Sequence, residues 1–193
     1  MEPNTLPSAF ATAVAPPERI EFEGLVLRRW VPEDLQARYA AILDSYEHLY
    51  PWMSWLAERP TLEQQREWGE QQLGPWPTPG SCNYGIFDAA DGTLLGIIAV
   101  HDRLGPGAVE LGYWCHVAHT GKGVITRAAG ELTRILLGLD GIERVEIHCD
   151  QANGPSAAVP RRLGYRLDRI EPDEITAPAE TGQGMVWIIE RGF

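Results

Sequence analysis

Lysine is nearly missing from this chain: among 193 residues there is one, Lys122, against fifteen arginines. Acidic residues outnumber basic ones 27 to 16, for a formal net charge of −11 and an isoelectric point near 4.9. So little positive charge argues against nucleic acid as a partner, because a duplex or tRNA binder needs a basic face to neutralise phosphates. The same acidity suits a cationic or amine-bearing substrate. Cysteine is scarce too. Cys82, Cys115 and Cys149 are odd in number and lack CxxC spacing, which excludes a disulfide framework and leads us to expect buried, reduced thiols in a cytoplasmic protein. No run of 18 apolar residues occurs, so no membrane span is expected. The opening MEPNTLPSAFATAVAPPERI has no basic region before its short, Pro-interrupted apolar stretch and does not read as a signal peptide. Residues 1–19 are expected to form a loosely attached tail, and residues 20–193 a single domain.

What is present is an ordinary globular composition, 44% hydrophobic and 22% charged. GLVLRRW (24–30) alternates as a strand, and VPEDLQARYAAILDSY opens a helix at Pro32. The aromatic-rich YEHLYPWMSWL is broken by Pro51, and TLEQQREWGEQQL reads as a helix capped by Thr61. SCNYGIFDA, GTLLGIIAVHDR and GAVELGYWCHVA read as three consecutive strands joined by turns. A helix (VITRAAGELTRILLGL), a strand (GIERVEIHCD), a short helix (NGPSAAVPRRLG) and the strands YRLDRI and GMVWIIERGF complete a mixed α/β domain.

The lone lysine sits between Gly121 and Gly123 in AHTGKG, a loop between a strand and a helix. Glycines there allow close approach of the backbone to a ligand, and the following helix offers unpaired N–H groups and a partial positive charge. This is a seat for phosphate, with Lys122 adding a point charge and Thr126 a hydroxyl. It is not a Walker A loop, since His116 stands where the first glycine would be and Gly123 where Ser or Thr follows the lysine. Nor is it GxGxxG, since Thr126 holds the last glycine position.

The segment from Glu110 to Leu167 carries, in order, ELGYW, the Gly-Lys-Gly turn, N-x-x-S and a closing LGY. In this it resembles the GNAT N-acetyltransferase superfamily, most closely the RimJ/RimL-like branch, and YEHLYPWMSWL is similar to that branch's aromatic segment. The resemblance implies the GNAT acyl-CoA N-acyltransferase fold: a mixed, mostly antiparallel sheet with helices on both faces, splayed between its fourth and fifth strands. It implies acetyl-CoA or another acyl-CoA as cosubstrate, an amine acceptor, no metal, and a possible homodimer. It places the pantetheine arm along Cys115, His116 and Val117, and the pyrophosphate against Gly121, Lys122, Gly123, Val124, Ile125 and Thr126. Asn153 matches a residue that holds the pantetheine, and Ser156 one that protonates the departing thiolate. The family signature Q/R-x-x-G-x-G/A reads Thr120, Gly123 and Ile125 here, so a bulky residue stands where close backbone approach is expected.

Acyl transfer to an amine needs a base, an oxyanion donor and a leaving thiolate. Glu110 is the first candidate base, with pairing to an arginine as its structural alternative; His101, at a strand end, is the second. His116 and His119 flank the loop and are expected to bond its backbone. A cysteine nucleophile is disfavoured because His148 and Cys149 are adjacent on one strand and point to opposite faces. A zinc site from His116, His119, His148 and Cys149 is disfavoured because the first pair lies at a strand end and loop. Tyr50, Trp52, Met53 and Trp55 form either an acceptor wall or core. Pro160 stands four residues after Ser156, where it removes an N–H from the Ser156 carbonyl, so a kink or early end of that helix is expected.

Overall fold

The computed structural model describes residues 9–11, 14–89 and 92–192. Eight strands form one sheet: β1 Arg19–Phe22, β2 Leu25–Arg29, β3 Ser81–Asp88, β4 Leu94–His101, β5 Ala108–Cys115, β6 Arg144–Asp150, β7 Arg166–Pro172 and β8 Gln183–Glu190. Their order is β1-β2-β3-β4-β5-β6-β8-β7, antiparallel throughout except for the β5–β6 pair. Five α-helices among the described residues accompany it: α1 Leu35–Asp44, α2 Tyr46–Leu49, α3 Leu62–Gln71, α4 Val124–Gly138 and α5 Gly154–Arg162.

Strand β1 has no counterpart in the sequence pattern. Its four residues, RIEF, are too few for alternation to stand out. The turn after it explains the hairpin, because Glu23 (φ 43°) and Gly24 (φ 75°) both take the positive φ that a two-residue type I′ loop demands. With β1 counted, the expected splay falls between the fifth and sixth strands. The tail expected to be loose is tied down in its described part. Ala9 is buried and its N–H donates to Asp102 Oδ1 at 2.7 Å, while Pro16 and Pro17 accept from Trp76 Nε1 and the Tyr84 hydroxyl. Residues 1–8 lie outside the described residues.

Side chains alternate between two cores because strand residues point to opposite faces. Leu25 and Leu27 of β2 join Tyr84, Ile86 and Leu111 on one face, against which α4 lays Ala128, Leu132 and Leu136 and α5 lays Ala157. With the buried Ile125 and Ala129, those α4 positions recur every three or four residues, the stripe of an amphipathic helix. On the other face Val26, Phe87 and Trp114 pack with Ala41 and Ile42 of α1 and Leu49 after it. Thr61 caps α3, as its sequence predicted, and Gln64 completes a reciprocal capping box. Among the described residues, no helix is long and apolar enough to cross a membrane.

Candidate active site

The β5–β6 pair is where the sheet opens. Pairing runs only through Ala108–Arg144, Val109–Val145 and Glu110–Glu146, although β5 continues to Cys115 and β6 to Asp150. A cavity of about 1150 Å³ occupies the parting. His101, Glu110 and Tyr113 border it from β4 and β5, and His148, Cys149 and Ser156 from β6 and α5. His148 and Cys149 both reach it although they point to opposite faces, since the opening passes through the sheet rather than over one side.

Beyond the end of β5, a 3₁₀ turn (Val117–His119) leads to the glycine loop and α4. Gly121 (φ 71°) and Gly123 (φ 74°) are both left-handed, and a Cβ added to either would meet nothing within 4 Å. The loop is thus an open cradle whose backbone shape needs glycine. The N–H groups of the first turn of α4 have no intrahelical acceptor, so the cradle fits a pyrophosphate. Ile125 does not crowd it: its side chain is buried in the core, leaving only its backbone for the loop. Lys122 Nζ donates to Ala118 O at 2.8 Å and is exposed, closing its own loop. His116 Nδ1 accepts from Ala118 N–H at 3.1 Å, the backbone role expected of it, and its ring meets His119 edge-on. Along β5 the expected pantetheine-side amides are partly committed. His116 N–H donates to Leu95 O, and Val117 N–H donates to Ser45 Oγ at 3.0 Å. Cys115 Sγ lies 3.6 Å from Leu95 O, and burial pushes its thiol up to about 11.

Asn153 is the N-cap of α5, its Oδ1 accepting from Ser156 N–H at 3.2 Å. The helix does not end at Pro160. It runs on to Arg162 because the carbonyl deprived of its partner finds another: the Tyr113 hydroxyl crosses the parting and donates to Ser156 O at 3.1 Å. Tyr113 also lies 3.5 Å from Ser156 Oγ, at the outer limit of a hydrogen bond. Burial raises the Tyr113 hydroxyl well above the usual phenol range, so it stays protonated and remains a donor. Tyr113 lies in the ELGYW motif, but nothing in the sequence ties it to a carbonyl 43 residues away.

Glu110 is buried and held by Arg103, whose Nε and Nη2 donate to its two oxygens at 2.8 and 2.6 Å. This is the arginine pairing named as the alternative to a base. His101, opposite Glu110 in the β4–β5 register, is kept below the usual imidazole range by burial and by Arg103, with Glu110 opposing. Its Nε2 packs where a Cβ on Gly112 would come within 2.9 Å, so glycine there gives the ring its place. On β6, His148 Nε2 lies 2.6 Å from Glu146 Oε2, and Glu146 also accepts from Arg144 Nε at 2.6 Å. Burial opposes ionisation of Glu146, but these bonds to His148 and Arg144 outweigh it and hold the carboxyl below its ordinary range. The E-x-H spacing places both side chains on one face of a strand and was a legible signal.

Trp52, Met53 and Trp55 do border the cavity, with Trp68. Tyr50 does not: its ring stacks on Tyr46 at 5.6 Å and packs on the second core, so it leaves the acceptor wall. Among the described residues, no group of three or more His, Cys, Asp or Glu could hold a metal ion.

Comparison with known proteins agrees with this geometry. A model of the acetyltransferase (GNAT) domain matches residues 24–166. YdaF of Bacillus subtilis (strain 168), which carries the name of a ribosomal N-acetyltransferase, is 29% identical over 147 residues, covering 74% of this chain and 78% of its own. Among solved structures, RimL, the ribosomal L7/L12 alpha-N-protein acetyltransferase in complex with coenzyme A, superposes with a TM-score of 0.78 at 19% identity, covering 90% of this chain and 98% of its own. The microcin C7 self-immunity acetyltransferase MccE, in complex with acetyl-CoA and AMP, gives 0.81 at 18% identity over 90% and 97%. The two structures share the fold, while the domain match covers well over half the chain and sets its lineage: this protein belongs to the GNAT family and is an N-acetyltransferase.

Proposed function

We propose that the protein transfers an acetyl group from acetyl-CoA directly to a primary amine, in a ternary complex and without a covalent enzyme intermediate. The observation that carries this is the parting of β5 from β6. It opens on a chamber walled by Trp52, Trp55 and the buried Glu110, and the glycine loop at the start of α4 follows the end of β5 in sequence. Gly121, Gly123 and the first-turn amides of α4 would hold the pyrophosphate, and the free side-chain amide N–H groups of Asn153 the pantetheine. The Ser156 hydroxyl would supply the proton at the sulfur, with Tyr113 holding the Ser156 carbonyl. A cysteine intermediate is disfavoured because burial pushes Cys149 up to about 11, leaving little thiolate at neutral pH.

A protein N-terminus is the first acceptor to try, since YdaF and RimL are named for ribosomal substrates. The net charge of −11 opposes docking on polyanionic ribosomal RNA, which favours a free protein or a small amine as the acceptor. Such an enzyme would work in the cytoplasm, where acetyl-CoA is available. Calorimetric titration with acetyl-CoA, succinyl-CoA and CoA tests the donor, followed by thiol release with serine- and alanine-ended hexapeptides and small amines. Saturable binding with thiol release only on adding amine is the expected result. Tight binding without turnover for any amine would convert the protein into an acyl-CoA sensor.

A further inference from the structure

An amine arrives mostly as an ammonium and has no lone pair until a proton is removed, so the site needs a proton acceptor. Glu110 is engaged on both oxygens by Arg103, and protonating it would break that pair. Burial and the Arg103 charge make His101 a weak base. His148 differs from both. It lies on β6 just past the last β5–β6 pair, borders the cavity, and keeps 30% of its side chain exposed.

Glu146 fixes which nitrogen of His148 is free. The Glu146 carboxyl is 3% exposed and accepts from Arg144, so it is ionised and can only accept. The 2.6 Å contact therefore puts the ring hydrogen on Nε2 and leaves Nδ1 bare. Nδ1 lies 3.8 Å from Glu110 Oε2, too far for a hydrogen bond. The charged groups around the ring are Glu146 on its own strand, Glu110 on β5 with Arg103 from the loop after β4, and Glu171 on β7, with Arg144 behind Glu146.

We propose that His148 Nδ1 is the atom that takes the proton from the acceptor ammonium, and that Glu146 is the residue that positions it. This rests on the acetyl-transfer reading above. The Nδ1 lone pair takes one proton from the ammonium; the amine lone pair then forms the C–N bond as the C–S bond breaks. Ser156 gives its hydroxyl proton to the departing sulfur and takes up the second amine proton in its place, and His148 returns the first to solvent through the cavity. Glu110 and Glu146 flank the imidazolium formed on the way.

The test has two arms on the full-length protein. Nitrogen-15 NMR of labelled histidine should show His148 with the hydrogen on Nε2 in the wild type and a mixture of tautomers in Glu146→Gln. A hydrogen on Nδ1, or no change in the variant, overturns the proposal without reference to any substrate. With a serine-ended hexapeptide, His148→Gln should lower kcat/KM at least about 100-fold, leave acetyl-CoA affinity within twofold, and remove the acid limb of the pH profile. Glu146→Gln should lower kcat about tenfold with KM little changed. A His148→Gln enzyme within threefold of wild type, with the same acid limb, overturns the proposal. Wild-type silence on every amine would count against the acetyl-transfer reading, and the NMR arm would still decide the His148 assignment.

Discussion

Pro160 takes a hydrogen-bond donor from Ser156 O, and Tyr113 restores one from across the parting. The hydroxyl therefore carries a structural load beside any part in chemistry. Tyr113→Phe is expected to cost about 1–2 kcal/mol, the range for a buried carbonyl left without a partner. In a Pro160→Ala background, where the helix supplies its own N–H, the same change should cost less than half as much. Denaturant unfolding of the four proteins reads this directly, and equal costs in both backgrounds would show that the two residues are not coupled. Glu146 offers a second test. Its folded-state pKa lies below the ordinary glutamate value of 4.5, so its contribution to stability is complete above that value and is lost as pH falls through the folded pKa. The gap in melting temperature between wild type and Glu146→Gln should be widest near pH 7 and narrow as the pH falls below 4.5. A gap that stays constant from pH 7 to 3.5 would refute the assignment.

The glycine loop and helix α4 act as one element. Gly123 is left-handed at the N-cap with open space beside its Cα, so an alanine there costs about 1–2 kcal/mol of backbone strain. It also places a methyl group where a phosphate would approach. Gly123→Ala is expected to weaken acetyl-CoA binding by more than tenfold. Lys122→Ala should weaken it by no more than about threefold, since its ammonium is exposed and already bonded to Ala118 O. Calorimetry ranks the two, and the reverse order would mean that the side-chain charge, not the backbone, holds the anion. The loop was legible because its signal is local: glycines, a lysine and a helix start within seven residues. The harmlessness of Ile125 was not, because only the packing of α4 shows that its side chain turns inward.

For the whole molecule, a ligand that binds only the folded state stabilises it. Acetyl-CoA at 100 times its Kd should add about 2.7 kcal/mol, which for a domain of this size raises the melting temperature by roughly 5–10 °C. A thermal scan with acetyl-CoA that shows no shift would argue against the cradle and the parting as a cofactor site. Alternation, turn residues and caps in the sequence determined the order of nearly every strand and helix, because those rules act between residues a few positions apart. Sequence also marked Glu110, Asn153 and Ser156 as neighbours in one motif-bearing stretch. Only the tertiary structure decided what each can do. It paired Glu110 with Arg103, turned Tyr50 away from the cavity and brought Tyr113 to Ser156. It also left His148, held by Glu146, facing the opening. Each of those outcomes depends on where β5 and β6 separate, and strand separation is set by the packing of the whole sheet rather than by any local run of residues.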